Sequence, residues 1–195
     1  HTWMQPGITR ENLQDNMARY YREGRSDEGV EVVMGAGNVS SLSSTDALGK
    51  IFAEGRTVLL KMNPVNEYLG PIFEQAFDCL VDEVFLRIVY CGAEVGSHVV
   101  HHYLADAVHI TGSFYSFDNI VWGPPGEERD RRRRENDPVL SKPITAELGN
   151  VTPWVVVPAP FSKKELRYLA SNFCSTMINT ASFNCVWRMV IVTTR

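Results

Sequence analysis

Short apolar runs alternate with stretches of helical periodicity along most of this chain. Each run is followed by a loop that contains glycine or proline, as at the end of a buried strand. The runs predict strands over 30–34, 58–62, 85–90, 107–111 and 120–122. Apolar residues three or four positions apart predict helices over 9–22, 45–54, 66–83 and 94–104.

Two of the predicted helices have well-defined apolar faces. In the segment 45–54 the pattern places Leu48, Ile51 and Phe52 inward, and Gly55 ends the helix. In the segment 66–83 the residues on one face are Leu69, Ile72, Phe73, Ala76, Phe77 and Leu80.

Strands that alternate with helices are joined by right-handed crossovers, so this order predicts a mainly parallel sheet flanked by helices. Ligands of such sheets bind beyond the carboxyl ends of the strands. The loops at those ends carry Asn38, the segment 61–64, Gly92 and the pair Gly112-Ser113. We therefore expect a binding site where these loops meet.

The last part of the chain has a further set of elements. Strands are predicted at 155–157 and 188–193, and Ser162 with Glu165 forms a capping box at the start of a helix between them. The whole pattern predicts an α/β, Rossmann-like fold that is followed by the start of a second α/β domain. We expect the change of domain near Leu148-Gly149.

Composition and charge narrow the classes of function. The chain has 44% hydrophobic and 22% charged residues, as an ordinary folded protein has. A net charge of −4 and a pI near 5.7 give no global case for nucleic-acid binding. No apolar run approaches the ~18 residues of a membrane span.

The metal-ligating residue types show no convincing spacing. The four cysteines are neither paired nor spaced as in a zinc site, which predicts a reduced, cytoplasmic protein without a metal. Several histidines lack a completing carboxylate or cysteine and are predicted to lie at the surface or at helix ends. They are His98, His101, His102 and His109.

The segment 124–137 interrupts the alternation of strands and helices. Four consecutive arginines, 131–134, suggest contact with phosphate or nucleic acid. Acidic residues border them on both sides, and no aromatic residues interleave. These two features favour a solvated loop or helix in which the charges offset one another.

Cys185 is the residue whose side chain is best suited to covalent catalysis. A thiolate attacks a carbonyl carbon when a base and an oxyanion donor lie nearby, and Glu147 and Asn38 are candidates for those roles. Each has a structural alternative. A lone cysteine is most often buried and inert, a glutamate is most often a surface charge, and an asparagine beside a glycine fits a turn.

Three loops are candidates for holding a cofactor with phosphates. Lys61 follows an apolar run, where a lysine at a strand end reaches a ribose or phosphate. The segment from Gly92 to Gly96 is an incomplete glycine-rich turn. Gly112 and Ser113 follow a strand and can present backbone N–H groups to a pyrophosphate.

In their order along the chain, these segments resemble motifs of the aldehyde dehydrogenase superfamily. The segment 109–113 is similar to the family's Phe-Thr-Gly-Ser turn, Glu147-Leu148-Gly149 to its Glu-Leu-Gly-Gly motif, and Asn184-Cys185 to the segment with its nucleophile. The segment 35–38 takes the place of its Pro-Trp-Asn motif, 61–64 that of Lys-Pro-x-Glu, and 92–96 that of the next turn. Order and approximate spacing agree from about residue 30 onward.

The resemblance implies oxidation of an aldehyde to a carboxylic acid through a covalent thioester. Cys185 would be the nucleophile, Asn38 and the Cys185 backbone N–H would hold the oxyanion, and Glu147 would activate water. NAD or NADP would accept the hydride. The implied cofactor-binding residues are Lys61, Asn63, Gly92, Gly96, Gly112, Ser113 and Leu148.

The resemblance also implies that the chain is a central fragment. Residues 1–148 would be most of the dinucleotide-binding domain, truncated at its N-terminus, and 149–195 the start of the catalytic domain. The full-length form would act on a small aldehyde and form a homo-oligomer, with no nucleic acid. Pro64 stands where the family commonly has a glutamate that binds the adenosine ribose, so the choice between NAD and NADP stays open. The alternative function is a non-catalytic dinucleotide-binding module.

Overall fold

The main sheet of the protein is five-stranded and fully parallel, in the order β3-β2-β1-β4-β5. The structure is a computed structural model, and it describes residues 6–17, 19–24, 29–149, 151–185 and 188–193. The predicted parallel sheet is confirmed. The strands are β1 (Val30–Met34), β2 (Thr57–Met62), β3 (Leu86–Tyr90), β4 (Ala107–Gly112) and β5 (Ile144–Leu148).

Helices cover both faces of this sheet, as a Rossmann-like fold requires. A 3-10 turn (Gln14–Asn16) and α1 (Arg19–Glu23) precede β1. The helices α2 (Leu42–Glu54), α3 (Gly70–Ala76) and α4 (Asp78–Asp82) lie on one face. The helices α5 (Ala93–His101) and α6 (Phe114–Trp122) lie on the other, and α7 (Glu127–Glu135) follows α6.

The core has two halves, one on each side of β1. Val32 is 1% exposed and Val33 is fully buried, and the two side chains point to opposite faces because successive strand residues alternate. Burial on both faces explains why the strands read as continuous apolar runs. Val32 packs in a cluster with Val100, Val108 and Ile110, and Val33 in one with Ala47, Ile51, Leu60 and Leu86.

One predicted strand is wrong, and one strand was missed. Residues 120–122 form the last turn of α6, which begins where the Ser113 hydroxyl accepts a hydrogen bond from the Ser116 N–H. The fifth strand is β5 instead. It lies at the edge of the sheet, and its central residues 145–147 are exposed, so it lacks the apolar run of a buried strand.

The predicted helix 66–83 is wrong as a continuous element. It consists of a 3-10 turn (Glu67–Leu69), α3 and α4, with a break at Phe77, where φ is −117° and ψ is 32°. Phe73, Phe77 and Leu80 still pack on the core, as predicted, but Ile72 is 57% exposed. The break lets Phe77 reach the sheet while the chain turns toward β3.

Two other helices also depart in detail from the predictions. The segment 9–22 is not one helix, since it contains only the 3-10 turn and the beginning of α1. In α2 the buried positions include Ala47, Lys50 and Ile51, whereas Phe52 is exposed. Gly55 ends α2 in the left-handed conformation, as expected of a glycine at a helix C-terminus.

The last part of the chain forms a separate two-stranded parallel sheet of β6 (Val151–Val156) and β7 (Arg188–Thr193). Between them lies α8 (Lys163–Ile178), and the predicted capping box of Ser162 and Glu165 is present. The position of a domain boundary near residue 148 stays a prediction. Among the described residues, no helix is long and apolar enough to cross a membrane.

The core assignment predicts the cost of truncating Leu60. This side chain is 1% exposed, so Leu60→Ala leaves a cavity and should lower the free energy of unfolding by about 2–5 kcal/mol in urea titrations. Leu104→Ala is the matched control, because Leu104 is 60% exposed and a surface change should cost less than about 0.5 kcal/mol. Equal losses in the two variants would contradict the packing described above.

Candidate active site

A cavity of about 810 Å³ opens at the carboxyl ends of β1, β2, β4 and β5. The chain order reverses there, because β2 and β3 lie on one side of β1 while β4 and β5 lie on the other. Loops that leave neighbouring strands in opposite directions leave a crevice between them. The cavity therefore lies where an open parallel sheet binds its ligands.

The loop after β1 approaches its neighbours too closely for side chains. A Cβ at Gly35 would lie 2.5 Å from Ser43 Oγ, and a Cβ at Gly37 would lie 2.7 Å from Asn63 Oδ1. Glycine at both positions lets the backbone pass against the beginning of α2 and the end of β2. This path brings Asn38 to the cavity wall.

The carbonyl of Ala36 anchors the same loop. It accepts hydrogen bonds from Ser43 Oγ at 3.3 Å and from Asn66 Nδ2 at 3.2 Å, and Ala36 itself is 1% exposed. These bonds hold the backbone two residues before Asn38, so Asn38 belongs to a loop whose backbone is fixed at that point.

Lys61, near the end of β2, is a nearly buried cation. It is 5% exposed, and among the described residues its ammonium makes no hydrogen bond or ion pair. Burial lowers the pKa of Lys61, although Cys91 and Glu67 act in the opposite direction. A Cβ at Gly96 would lie 2.9 Å from Met34 Cε and 3.7 Å from Lys61 Cε, so this glycine leaves room for both side chains. An ammonium on a mostly buried side chain that lines a cavity, with no ion pair among the described residues, favours an anionic ligand.

The turn between β4 and α6 supplies a second feature suited to anions. Gly112 and Ser113 line the cavity together with the first residues of α6. Ser113 Oγ accepts a hydrogen bond from the Ser116 N–H at 3.2 Å and caps the helix. The positive end of α6 therefore faces the cavity.

Glu147 and Cys185 reach the cavity from different parts of the chain. Glu147 lies on β5 opposite Thr111 of β4. Cys185 follows the 3-10 segment Asn179–Ser182, and its thiol donates to Asn184 Oδ1 at 3.5 Å. Three consecutive residues of that segment, 180–182, have φ between 46° and 62°, a conformation that costs energy outside glycine. Such strain is typical of segments that present a functional side chain.

Charge is distributed unevenly along the cavity. Among the described residues that line it, Lys61 is the only basic side chain and Glu147 the only carboxylate. They belong to β2 and β5, which are three strand spacings apart, or roughly 14 Å. A ligand with an anionic end at β2 and a reactive end near β5 matches this arrangement.

The sequence-predicted site residues divide into two sets. Gly92 and Leu148 do not line the cavity, because Gly92 is exposed at the start of α5 and Leu148 points away from the face that carries Glu147. The other eight line it: Asn38, Lys61, Asn63, Gly96, Gly112, Ser113, Glu147 and Cys185.

Sequence reasoning missed the aromatic and polar residues of α6. Phe114, Tyr115, Ser116 and Asn119 line the cavity. They were overlooked because residues 120–122 were interpreted as a strand. The spacing of Ser113 and Ser116 is a helix-capping signal that identifies the first turn of α6.

One of the predicted surface histidines is buried. His98 and His101 lie in the last turn of α5 and His102 follows it, as predicted. His109 is instead 8% exposed within β4, so the prediction is wrong for this residue. Within the described ranges, no group of three metal-ligating side chains comes together.

The run of arginines forms α7, and most of its charges are satisfied within the chain. Arg131 pairs with Glu128 and Glu135, and Arg133 Nη2 lies 3.2 Å from Asp118 Oδ1. The hydrogen bond from Arg131 lowers the pKa of Glu128 to about 2. This is the helix with offsetting charges that the sequence favoured.

No protein-family model and no curated protein sequence matches this chain. Several solved structures match it at low sequence identity, and they cover similar shares of this chain. A γ-glutamyl-γ-aminobutyraldehyde dehydrogenase from Burkholderia cenocepacia J2315 superposes with a TM-score of 0.62 at 18% identity, over 84% of this chain and 31% of the other.

Two further matches carry a nicotinamide cofactor. An aldehyde dehydrogenase from Mycobacterium tuberculosis in complex with NAD⁺ has a TM-score of 0.54 at 23% identity, over 84% of this chain and 30% of the other. A succinic semialdehyde dehydrogenase from Streptococcus pyogenes with NADP⁺ has a TM-score of 0.56 at 18% identity, over 85% and 33%. The chain thus spans about a third of each of these structures. Over the part that it spans, it has the fold of the aldehyde dehydrogenases.

Proposed function

We propose that this chain is the dinucleotide-binding part, with the nucleophile, of an NAD(P)-dependent aldehyde dehydrogenase. The observation that carries the proposal is one cavity lined by a thiol, a carboxylate and an amide from distant parts of the chain: Cys185, Glu147 and Asn38. The substrate class is a small aldehyde, and the product is a carboxylic acid.

The first step uses the thiol and the amide. The Cys185 thiol loses its proton to solvent, the thiolate Sγ attacks the carbonyl carbon of the aldehyde, and the carbonyl oxygen becomes an oxyanion. The Asn38 side-chain amide and the Cys185 backbone N–H are the proposed donors to this oxygen. Donors of this kind contribute about 2.7–4 kcal/mol to a transition state, because they are aligned before charge develops.

The cofactor site has the features that a dinucleotide needs. The unpaired, buried Lys61 and the positive end of α6 at Ser113 both suit phosphate and ribose groups. Asn63, Gly96 and Gly112 line the cavity between them, and Gly92 and Leu148 stay predicted cofactor contacts outside its wall. When bound, NAD⁺ or NADP⁺ supplies the hydride acceptor. Two matching dehydrogenases were solved with these cofactors.

The last step uses the carboxylate. Transfer of hydride from the carbon bonded to Cys185 Sγ leaves a thioester. Glu147 accepts a proton from a water molecule that attacks this thioester, the carboxylic acid departs, and the Cys185 thiol is regenerated. A positioned general base of this kind contributes about 10²–10⁴-fold to rate.

Two other functions would depend on different residues of this chain. A non-catalytic dinucleotide-binding module would use Lys61 and Ser113 without Cys185. A nucleic-acid binder would need free arginines on α7, and the pairing of Arg131 and Arg133 within the chain disfavours it. The first alternative is separated from catalysis by the second experiment below.

Removal of the cation at the end of β2 should weaken dinucleotide binding. Lys61→Met keeps most of the side chain and removes its charge, so the affinity for NADP⁺ should fall about 10–100-fold, the effect of a charged hydrogen bond. Isothermal titration calorimetry measures it. Lys163→Met is the control, because Lys163 is exposed at the start of α8. Unchanged affinity in Lys61→Met would exclude Lys61 from the site.

Loss of the thiol should abolish turnover. Cys185→Ala should reduce aldehyde-dependent formation of NADH or NADPH, followed at 340 nm, by at least about 1,000-fold, because no other group can form the covalent adduct. Cys79→Ala should not change it, since Cys79 is an exposed cysteine outside the cavity. If the unaltered chain binds dinucleotide without turnover, and Cys185 is alkylated no faster than Cys79, the binding-module function is favoured.

A further inference from the structure

A second cavity, of about 430 Å³, lies between α2 and the strands β4 and β5. Its wall includes the polar side chains of Asp46, Lys50, His109 and Thr145. Glu147 lines both this cavity and the first one. The polar groups behind the carboxylate are therefore placed to influence it.

A continuous run of hydrogen bonds leads from α2 through both strands and back to α2. Lys50 Nζ lies 3.2 Å from Thr145 Oγ1, which lies 2.8 Å from His109 Nδ1. His109 Nε2 lies 3.3 Å from Thr111 Oγ1, which donates to Asp46 Oδ2 at 2.8 Å. The run joins residues that are up to 95 positions apart in the sequence.

The groups at the two ends of this run determine which atom donates in each hydrogen bond. An ammonium can only donate and an ionised carboxylate can only accept. Thr145 therefore accepts from Lys50 and donates to His109 Nδ1, while Thr111 donates to Asp46 and accepts from His109 Nε2–H. For a ring with one N–H, this assignment satisfies each member and puts the hydrogen on Nε2.

Lys50 is held firmly at its end of the run. It is 7% exposed, and its ammonium also lies 3.1 Å from Glu31 Oε1 and 2.9 Å from Glu54 Oε1. With Thr145, these partners occupy all three donors. Burial by itself would lower the pKa of Lys50, but the hydrogen bonds to Glu54 and Glu31 outweigh it and raise the pKa above its usual value.

The run lies directly behind the proposed catalytic carboxylate. Thr145 precedes Glu147 by two residues, so both side chains leave the same face of β5. Thr111 lies opposite Glu147 in the β4–β5 register and immediately precedes the Gly112-Ser113 turn. Because β5 pairs with β4 alone among the strands that the structure describes, the bonds to Thr145 tie it to the body of the fold.

We propose that Thr145 and His109 are positioning residues for Glu147. The hydrogen bonds anchored on Lys50 and Asp46 hold β5 so that the Glu147 carboxylate is aligned with the water that attacks the Cys185 thioester. The inference rests on the proposed roles of Cys185 and Glu147. Small displacements of a catalytic group can reduce a rate about 100-fold, so the effect should be measurable.

The test isolates the hydrolytic step without a cofactor. Cys185 Sγ takes the acetyl group of p-nitrophenyl acetate, and p-nitrophenolate leaves in a burst that counts the acylated chains. Water then attacks the thioester, its proton passes to Glu147, acetate leaves, and the thiol is restored. The steady rate after the burst therefore reports deacylation.

Thr145→Val should keep the burst amplitude and slow deacylation about tenfold or more. Valine has the shape of threonine but removes one of the three hydrogen bonds of Lys50 and the partner of His109 Nδ1. Thr145→Ser restores the hydroxyl and should stay within about threefold of the unaltered chain. In a Glu147→Gln background, Thr145→Val should cause no further loss, whereas general destabilisation would slow both backgrounds alike.

Unchanged deacylation in Thr145→Val, or an equal further loss in the Glu147→Gln background, would overturn the inference alone. Absence of a burst in the unaltered chain would contradict Cys185 as the nucleophile, and with it the proposed function and this inference together. If Thr145→Val does not fold, Asp46→Asn serves in the same assay. It keeps the shape of the side chain, weakens the other anchor, and should slow deacylation about threefold or more.

Discussion

The structure depends on the burial of β1 between β2 and β4 in parallel register. With Val32 and Val33 buried on opposite faces, this strand cannot shift by one residue without exchanging its two packed faces. Parallel pairing then directs the carboxyl ends of its neighbours to the same edge of the sheet. The loops that carry Asn38, Lys61 and Ser113 meet there as a consequence of topology, although they are distant in sequence.

Two lysines of this fold are mostly buried, and they differ in whether they have an ion-pair partner. Between α2 and β1, Lys50 Nζ lies 3.1 Å from Glu31 Oε1, so each buried charge has a partner. Breaking such a buried pair costs about 3–5 kcal/mol, so the pair keeps α2 fixed on the sheet. In the cleft, Lys61 is buried to a similar degree without a partner among the described residues. A cation in this setting is consistent with the anionic ligand proposed for the cleft.

Local sequence predicted the elements that are buried on both faces and failed where tertiary context decides. The strands β1, β2 and β4 were predicted because their apolar runs reflect burial on both faces, and β3 was predicted from its apolar run although it lies at the other edge of the sheet. The edge strand β5 was missed because Thr145, Ala146 and Glu147 are exposed, and the apolar residues 120–122 belong to a helix capped by Ser113. The break at Phe77 follows from packing on the sheet, which periodicity does not register.

The candidate site follows the same division. Its loops, including those of Asn38 and Gly92, were located from strand ends, and Cys185 and Glu147 were candidates by residue type. The resemblance to aldehyde dehydrogenases supplied the roles of Cys185, Glu147 and Asn38, which line one cavity. Gly92, and Leu148, which came from the resemblance alone, lie outside the wall. The hydrogen bonds from Thr145 to Lys50 and His109 were not predictable, because they join residues 95 and 36 positions apart.

The proposed function requires the thiol and the dinucleotide site to share one cleft. Its most direct test is the rate of alkylation of each cysteine by iodoacetamide, measured by mass spectrometry with and without saturating NADP⁺. NADP⁺ should change the alkylation rate at Cys185 at least about threefold and leave the rates at Cys79 and Cys174, which are exposed outside the cavity, unchanged. Bound NADP⁺ with no change at Cys185 would contradict the shared cleft.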